Sequence, residues 1–282
     1  MEIDALWEFG DPQLSEDRFR VALGTVAGDE RLELLTQIAR SFGLRGRFAE
    51  AHTILDDVEN ELGSAGPKPV VRCLLERGRV FNSAGQPERA RELFMQAWDK
   101  AQAAGMDGLA VDAAHMLAIT WAGKPQAMAW NQRGLAIARS SPDARARALI
   151  PAMLNNTAWD LHEMGRFHEA LSLFQEAQAE WSARGGLEQV RVAKWSVGRC
   201  LRSLGRWTEA LALQRALLAE RDADGSVDGY VFEELAENLA ALGRMTEARA
   251  AFAQAAQELS KDEWFVEHEA PRLERLKQQA GV

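Results

Sequence analysis

Tyrosine, lysine and cysteine are scarce in this sequence of 282 residues. Tyrosine occurs once, and lysine supplies only 6 of the 33 basic residues, so arginine carries most of the positive charge. The abundant Ala, Leu, Arg and Glu favour helices, because these residues lose little side-chain entropy there. The two cysteines, Cys73 and Cys200, lie in apolar, helix-forming stretches. A single disulfide is open to them, but reduced core positions in the cytosol are the favoured interpretation.

Long apolar runs and long basic runs are both missing. No run reaches the roughly 18 apolar residues that a membrane helix needs, and the acidic opening, MEIDALWEFGDP, has no signal-peptide core. The net charge is −9, whereas most proteins that bind nucleic acids carry a basic face. We therefore expect a cytoplasmic protein that binds neither membranes nor nucleic acids.

The common nucleotide, metal and catalytic motifs are also absent. There is no Gly-x-x-x-x-Gly-Lys-Ser/Thr, and in HEMGRFH, residues 162–168, the second His comes two positions too late for a zinc-binding His-Glu-x-x-His. Asp112 and His115 are spaced to hydrogen-bond on one helix face. They form either part of a catalytic dyad or a buried polar pair, bonded to Asn156 or Thr157. The second interpretation is favoured, so we expect no catalytic residue, no metal and no cofactor.

What the chain does contain is a glycine that recurs at a nearly constant interval. Six of these glycines are separated by 39, 38, 42, 40 and 38 residues, and two more lie 36 residues before and 38 residues after them. Similar stretches surround several of them, such as MGRFHEALSLFQEA at 164–177 and LGRWTEALALQRAL at 204–217. The eight recurring glycines are Gly10, Gly46, Gly85, Gly123, Gly165, Gly205, Gly243 and Gly281.

The residues around each glycine alternate between small and bulky at helical spacing. A small residue follows five positions after the glycine, a larger one, often Phe, nine positions after it, and Ala twelve positions after it. Offsets of 4 and 3 place these residues on one helix face. Small and bulky residues seven and four positions before the glycine share a face of a preceding helix. Each repeat is therefore predicted to be helix, turn, helix, because glycine tolerates the positive φ that often ends a helix.

This pattern resembles the tetratricopeptide repeat family. With the turn glycine counted as position 15, the fourth full repeat carries the whole family motif: Ala158, Leu161, Gly165, Phe167, Ala170, Phe174 and Ala177. The usual repeat length of about 34 residues is exceeded here, the usual Pro at position 32 is missing, and the third repeat has Pro125 and Met128 at motif positions. The longer repeat is similar to a variant found in bacterial regulators and peptide-pheromone receptors.

The resemblance implies an all-α fold, a right-handed superhelical solenoid of antiparallel helix hairpins with a C-terminal capping helix. We expect one continuous domain over residues 1–282, since the only Gly/Pro-rich link, residues 63–69, is too short for a flexible tether. Pro151 is expected to bend or begin a helix, and Pro271 to kink or split the last one. The predicted parts are a truncated hairpin at 1–28, repeats at 29–65, 66–104, 105–141, 142–185, 186–225 and 226–260, and a polar capping helix at 262–280.

In this family the first helix of each repeat lines a concave groove. Carried over position by position, the resemblance places three tryptophans at the centre of this surface, with two arginines on each side. Trp and Arg are enriched at binding hot spots, although the tryptophans can instead pack against neighbouring helices and the arginines can pair with Glu76, Glu163 or Glu233. The predicted groove residues are Arg40, Arg79, Asn82, Trp121, Asn155, Trp159, His162, Trp195, Arg199 and Arg202.

These observations favour a non-enzymatic interaction module, a scaffold or adaptor that binds a peptide or protein segment with acidic and apolar residues. The alternative is a regulatory protein that senses a ligand or signalling peptide and acts in trans. An enzyme built on Asp112 and His115 is a third hypothesis. The resemblance points to a bacterial protein, and the sequence leaves homo-oligomerisation open.

Overall fold

The computed structural model describes residues 3–184 and 186–281, and in this part of the chain every regular element is helical. This confirms the predicted all-α fold of antiparallel helix hairpins. Residue 185, the predicted end of the fourth repeat, lies outside the described residues. None of the helices within 3–184 and 186–281 combines the length and apolar content of a membrane span.

The helices follow one another with short connections. A 3₁₀ helix, Ile3–Leu6, comes first, and another, Leu62–Ser64, follows α3. The α-helices are α1 Pro12–Leu23, α2 Gly28–Leu44, α3 Phe48–Glu61, α4 Pro67–Ser83, α5 Pro87–Ala103, α6 Asp107–Thr120, α7 Pro125–Ser140, α8 Ala144–Ala148, α9 Ile150–Glu163, α10 Phe167–Arg184, α11 Leu187–Ser203, α12 Trp207–Asp224, α13 Gly229–Ala241, α14 Met245–Leu259, α15 Glu263–His268 and α16 Ala270–Ala280.

The chain forms two compact units that divide within α9, between Met153 and Leu154. The first unit holds α1 to α8 and the start of α9, and the second unit holds the rest. The expectation of a single continuous domain stays a prediction.

The recurring glycines make the hairpin turns. Gly46, Gly85, Gly123, Gly165, Gly205 and Gly243 all have φ between 72° and 75°. After α9, the amide of Gly165 donates to the carbonyl of His162 at 3.0 Å, and the amide of Arg166 donates to Leu161 at 2.9 Å. These bonds satisfy carbonyls that a helix end leaves free, and a left-handed residue is needed to form them. Gly281 also has positive φ, whereas Gly10 does not.

Bulky residues of one helix fill the gaps left by small residues of its partner. Phe19, Phe94, Phe174 and Phe252, the residues nine positions after a turn glycine, are all at most 2 % exposed. In the second repeat a Cβ atom added at Gly78 would lie 2.5 Å from the ring of Phe94. The helix axes can approach this closely only because position 8 carries no side chain here.

The third repeat departs from the regular hairpin. Its turn spans four residues, 121–124, whereas the other glycine turns of the repeats span three. By its burial and contacts, Ala114 takes position 8 of α6: it is fully buried and lies 3.1 Å from a Cβ atom added at Gly134. A count back from Gly123 selects Met116 instead, two residues later, and the longer turn accounts for one of these two residues.

Proline interrupts two of the predicted first helices. α8 ends at Ala148 and α9 begins at Ile150, with Pro151 in its first turn. Pro271 likewise lies in the first turn of α16, so the predicted capping helix over 262–280 is split into α15 and α16. Glu274 is exposed while Leu273 and Leu276 are buried, which leaves one apolar and one polar face on α16.

Candidate functional site

In the first unit the predicted groove arginines are bonded to carboxylates of their own and of neighbouring first helices. Glu76, on α4 and 2 % exposed, lies 3.8 Å from Nη1 of Arg40 and accepts a hydrogen bond of 2.9 Å from Nη1 of Arg79. Arg79 also donates to Asp112 on α6. Burial opposes ionisation of Asp112, but Arg79 and Arg40 outweigh it and lower the pKa of the carboxyl. Asn82 joins Arg40 and Arg79 around a cavity of about 190 Å³.

The Asp112–His115 pair is arranged differently from a catalytic dyad. The Asp112 carboxylate is engaged by Arg79, and Nδ1 of His115 is buried without a hydrogen-bond partner. Burial is the main reason that the pKa of His115 is lowered, and the positive charge of Arg79 adds to it. Burial and Arg79 therefore disfavour the protonated form of His115, and no hydrogen bond between Nδ1 and Asp112 orients its ring.

Trp121 lies in the four-residue turn after α6 and faces α5. The guanidinium of Arg91, on α5, stacks over its ring at 3.9 Å and also donates to the carbonyl of Thr120 at 2.6 Å. The register shift in α6 explains why the position counted from Gly123 placed Trp121 on the inner helix face. Trp121 belongs to the first unit, and Trp159 and Trp195 to the second.

In the second unit the aromatic residues form a continuous row across successive first helices. The ring of Trp159 on α9 lies 5.9 Å from that of Trp195 on α11. Trp195 lies 6.3 Å from Tyr230 on α13, which lies 5.8 Å from Phe265 on α15. Trp159 also meets the buried ring of Phe174 edge-on at 4.9 Å. Both tryptophans are half-buried, so they pack on the core and keep one part of the ring accessible.

The polar residues of the predicted groove in this unit form hydrogen bonds and ion pairs with side chains of the neighbouring first helix. Arg202 donates two hydrogen bonds, of 2.7 and 2.9 Å, to the buried carboxylate of Glu234. Nε of Arg199 lies 3.3 Å from the same carboxylate. His162 shares a hydrogen bond of 2.9 Å with Ser203. Burial, followed by Arg199 and Arg202, lowers the pKa of His162. Asn155 accepts a long hydrogen bond, 3.5 Å, from Ser196.

A cavity of about 240 Å³ opens where the aromatic row passes from α11 to α13. Its walls are apolar: Trp195, Tyr230, Leu217, Val231 and the exposed Val192. Its rim holds Arg191 and Arg221, which both bond to Glu188 and are further paired with Asp224 and Asp228 respectively.

One structural feature extends the Arg–Glu76 pairing that the sequence left open, and another lies outside the motif positions altogether. Arg40, Arg79 and Arg199 at position 9 each reach an acid at position 6 of the next repeat: Glu76, Asp112 and Glu234. Separations of 36, 33 and 35 residues between Arg and acid could have revealed this pairing. The other feature, the packing of residues 3–9 against the first helices, has no signal in the repeat pattern.

The comparisons with known proteins agree with this architecture. Residues 152–177 match a family profile described as tetratricopeptide repeat, and residues 183–262 match a second profile, described as tetratrico peptide repeat. The two matched regions therefore carry the tetratricopeptide repeat pattern. A search of curated proteins finds no significant match.

Solved structures with a similar fold share little sequence with this chain. NprR in complex with its cognate peptide NprX is 16% identical, covers 98% of this chain and 81% of its own length, and has a TM-score of 0.60. The apo form of RapI is 11% identical over 93% of this chain and 74% of its own, with a TM-score of 0.73. A signal transduction ATPase with a tetratricopeptide repeat sensor from Pyrococcus horikoshii is 10% identical, with a TM-score of 0.73 over 94% of this chain and 41% of its own. At these identities the likeness concerns the fold alone.

Proposed function

We propose that the chain is a non-enzymatic interaction module whose first helices bind a peptide or protein segment. The observation that carries this proposal is the half-buried aromatic row of Trp159, Trp195 and Tyr230 beside an apolar cavity of about 240 Å³. Large aromatic side chains supply contact area at little entropic cost and dominate many interfaces. A partner's apolar side chain inserted into the cavity would extend this row.

The charges around the row bear on the chemistry of the partner. Arg199 and Arg202 are already bonded to Glu234, so a carboxylate of the partner would share their N–H groups rather than meet free ones. Glu233 is likewise bonded to Arg272 and Arg275. Apolar contacts therefore contribute most of the affinity in this proposal, and acidic residues of the partner mainly set its orientation.

A regulatory protein that senses a peptide and acts in trans is the second candidate. It is supported by the fold that the chain shares with NprR, whose structure holds the cognate peptide NprX. Such a ligand would use the same helices, so the two candidates differ in what binding causes rather than in where it occurs. Native mass spectrometry of the purified protein would reveal a retained peptide or small molecule.

The test uses two exposed apolar residues of the same helix. Val192, 54% exposed, lines the cavity, and Leu187, 57% exposed, does not. We expect Val192→Arg to block the cavity and weaken binding of the partner by at least about 2 kcal/mol, or thirtyfold. Leu187→Arg should leave binding unchanged. A pull-down from native extract identifies the partner, and titration of both variants with it gives the affinities.

Neither substitution touches the core, so both variants should unfold within about 0.5 kcal/mol of the wild type. Equal affinity of the two variants for the partner would place its binding site away from the aromatic row. A conversion catalysed by the purified wild type and not by an Asp112→Asn variant would replace the interaction module by the enzyme hypothesis.

A further inference from the structure

Residues 3–9, the 3–9 segment, lie against the first helices of the first unit. Ile3 is 4% exposed within the core of this unit. Nε1 of Trp7 donates to the side-chain oxygen of Gln37 on α2 at 3.0 Å, and the Trp7 ring meets the buried Phe19 edge-on at 5.0 Å. Phe9 stacks on Trp7 at 4.9 Å and is itself 62% exposed. Aromatic contacts thus hold the segment at one end.

Arginines from three other helices face the segment's side chains. The carboxylate of Asp4 bonds to Arg145 on α8 and lies 3.5 Å from Nη2 of Arg72 on α4. The guanidinium of Arg40 on α2 lies over the rings of Trp7 and Phe9, at 5.2 and 5.4 Å from their centroids. The segment therefore crosses the unit from α2 to α8, where Ile3 is buried in the core and Asp4, Trp7 and Phe9 contact arginines.

The segment fills this surface incompletely. A cavity of about 280 Å³ remains between it and the helices, lined by its Asp4, Trp7 and Phe9 on one side and by arginines on the other. Nε of Arg40 is buried there without a hydrogen-bond partner, and Nη2 of Arg72, also buried, is paired with Asp4 at 3.5 Å but makes no hydrogen bond. Unsatisfied buried donors are costly, so an occupant with better-placed acceptors would bind this surface more strongly.

We propose that the 3–9 segment is a built-in occupant of a second binding surface, on the first unit, and that a partner segment of the same chemistry displaces it. The chemistry is an acidic residue followed three positions later by an aromatic residue and two positions after that by another, as in Asp4, Trp7 and Phe9. This inference deepens the proposed function, since it also assumes binding by first helices. A tethered occupant competes at millimolar effective concentration, so the surface binds only partners that outcompete the segment.

The test uses the whole chain and a labelled synthetic peptide of residues 2–10, EIDALWEFG. Asp4→Lys sets a positive charge against Arg72 and Arg145 and should release the segment, while Asp17→Lys, at an exposed site on α1, is the matched control. By fluorescence anisotropy we expect the Asp4→Lys variant to bind the peptide about tenfold or more tightly than the wild type and the Asp17→Lys variant do. A peptide with Lys for Asp and Ala for Trp should not bind, and Arg145→Glu added to Asp4→Lys should abolish binding.

Hydrogen exchange reports on the segment directly. Amides of residues 3–9 should exchange much faster in the Asp4→Lys variant, with α2 and α4 unchanged, and slow again when the peptide is added. Equal peptide affinity of the Asp4→Lys variant and the wild type would overturn the proposal, as would protection of these amides in both proteins equal to that of α2. The result is independent of the Val192→Arg test, because the peptide is defined in advance and the two tests concern different units.

Discussion

At the scale of single residues, charged side chains on the first helices are mostly satisfied within the protein. Glu76 and Glu234, both at most 2% exposed, each receive arginines from their own or neighbouring helices. A buried carboxylate without such partners would strongly destabilise the fold. The arginines predicted to bind a ligand therefore stabilise the fold by neutralising buried carboxylates. Reversing their charge would destabilise the fold as well as change binding.

Three histidines, His52, His115 and His162, have a lowered pKa and should make the protein less stable in mild acid, and two of them, His115 and His162, lie on first helices. Burial is the leading cause that lowers the pKa of both His115 and His162, with nearby arginines adding to it. Each histidine binds a proton less readily in the folded state than at the unfolded pKa of about 6.5. These histidines therefore do not reduce the free energy of unfolding above about pH 6.5. They reduce it as the pH drops from there towards their folded pKa values.

Chemical denaturation of a His115→Gln, His162→Gln variant between pH 7.5 and 5.5 checks this expectation. The variant should lose less unfolding free energy over this range than the wild type. His168→Gln, which changes an exposed histidine, is the control for the effect of a His-to-Gln substitution as such. A double variant with the same pH dependence as the wild type would mean that other groups cause the acid sensitivity.

At the scale of helices, the sequence predicts hairpins well where the turn is regular. Glycine at a positive φ and a small residue at position 8 are requirements of local geometry, so they are visible in the residues themselves. In the third repeat α6 is two residues out of register with a count from Gly123, of which the longer turn accounts for one, and the position counts for Asp112 and Trp121 fail. The ion pairs between repeats also depend on register, because a shift of two residues turns a helical side chain by about 200°.

A larger residue at position 8 should lower the free energy of unfolding more where less free space surrounds that position. A Cβ atom at Gly78 would lie within 2.5–2.9 Å of three ring atoms of the fully buried Phe94. Gly78→Ala should therefore reduce the free energy of unfolding by about 1–3 kcal/mol through overpacking, despite the higher helix propensity of Ala.

Gly43→Ala is the comparison, because it lies in the equivalent helix α2 and would meet only one methyl group, of Val80, at 3.3 Å. There the gain in helix propensity of up to about 1 kcal/mol should offset the contact. Urea denaturation of the two variants measures the difference. Equal stability of Gly78→Ala and Gly43→Ala would show that α4 and α5 can separate without cost.

At the scale of the molecule, the repeats confine the effect of a substitution on stability to nearby helices. In a repeat protein each hairpin contacts mainly its neighbours, so a perturbation is felt most in the adjoining helices. Here α13 packs on α12 and α14, and α14 packs on α16. A Cβ atom at Gly229, the first residue of α13, would lie 2.6 Å from Cγ of Leu259 and 3.2 Å from Cβ of Glu258 at the end of α14.

Gly229→Ala should consequently speed amide hydrogen exchange in α12, α13, α14 and α16 and leave α2 to α5 unchanged. An overpacking cost of about 1–3 kcal/mol corresponds to exchange that is about five to 150 times faster where opening is local. Gly63→Ala, at a site with no neighbouring atom within 4 Å and no positive φ, should change no helix. Faster exchange throughout α2 to α5 in the Gly229→Ala variant would mean that the whole chain unfolds as one cooperative body, so that binding at one unit alters the stability of the other.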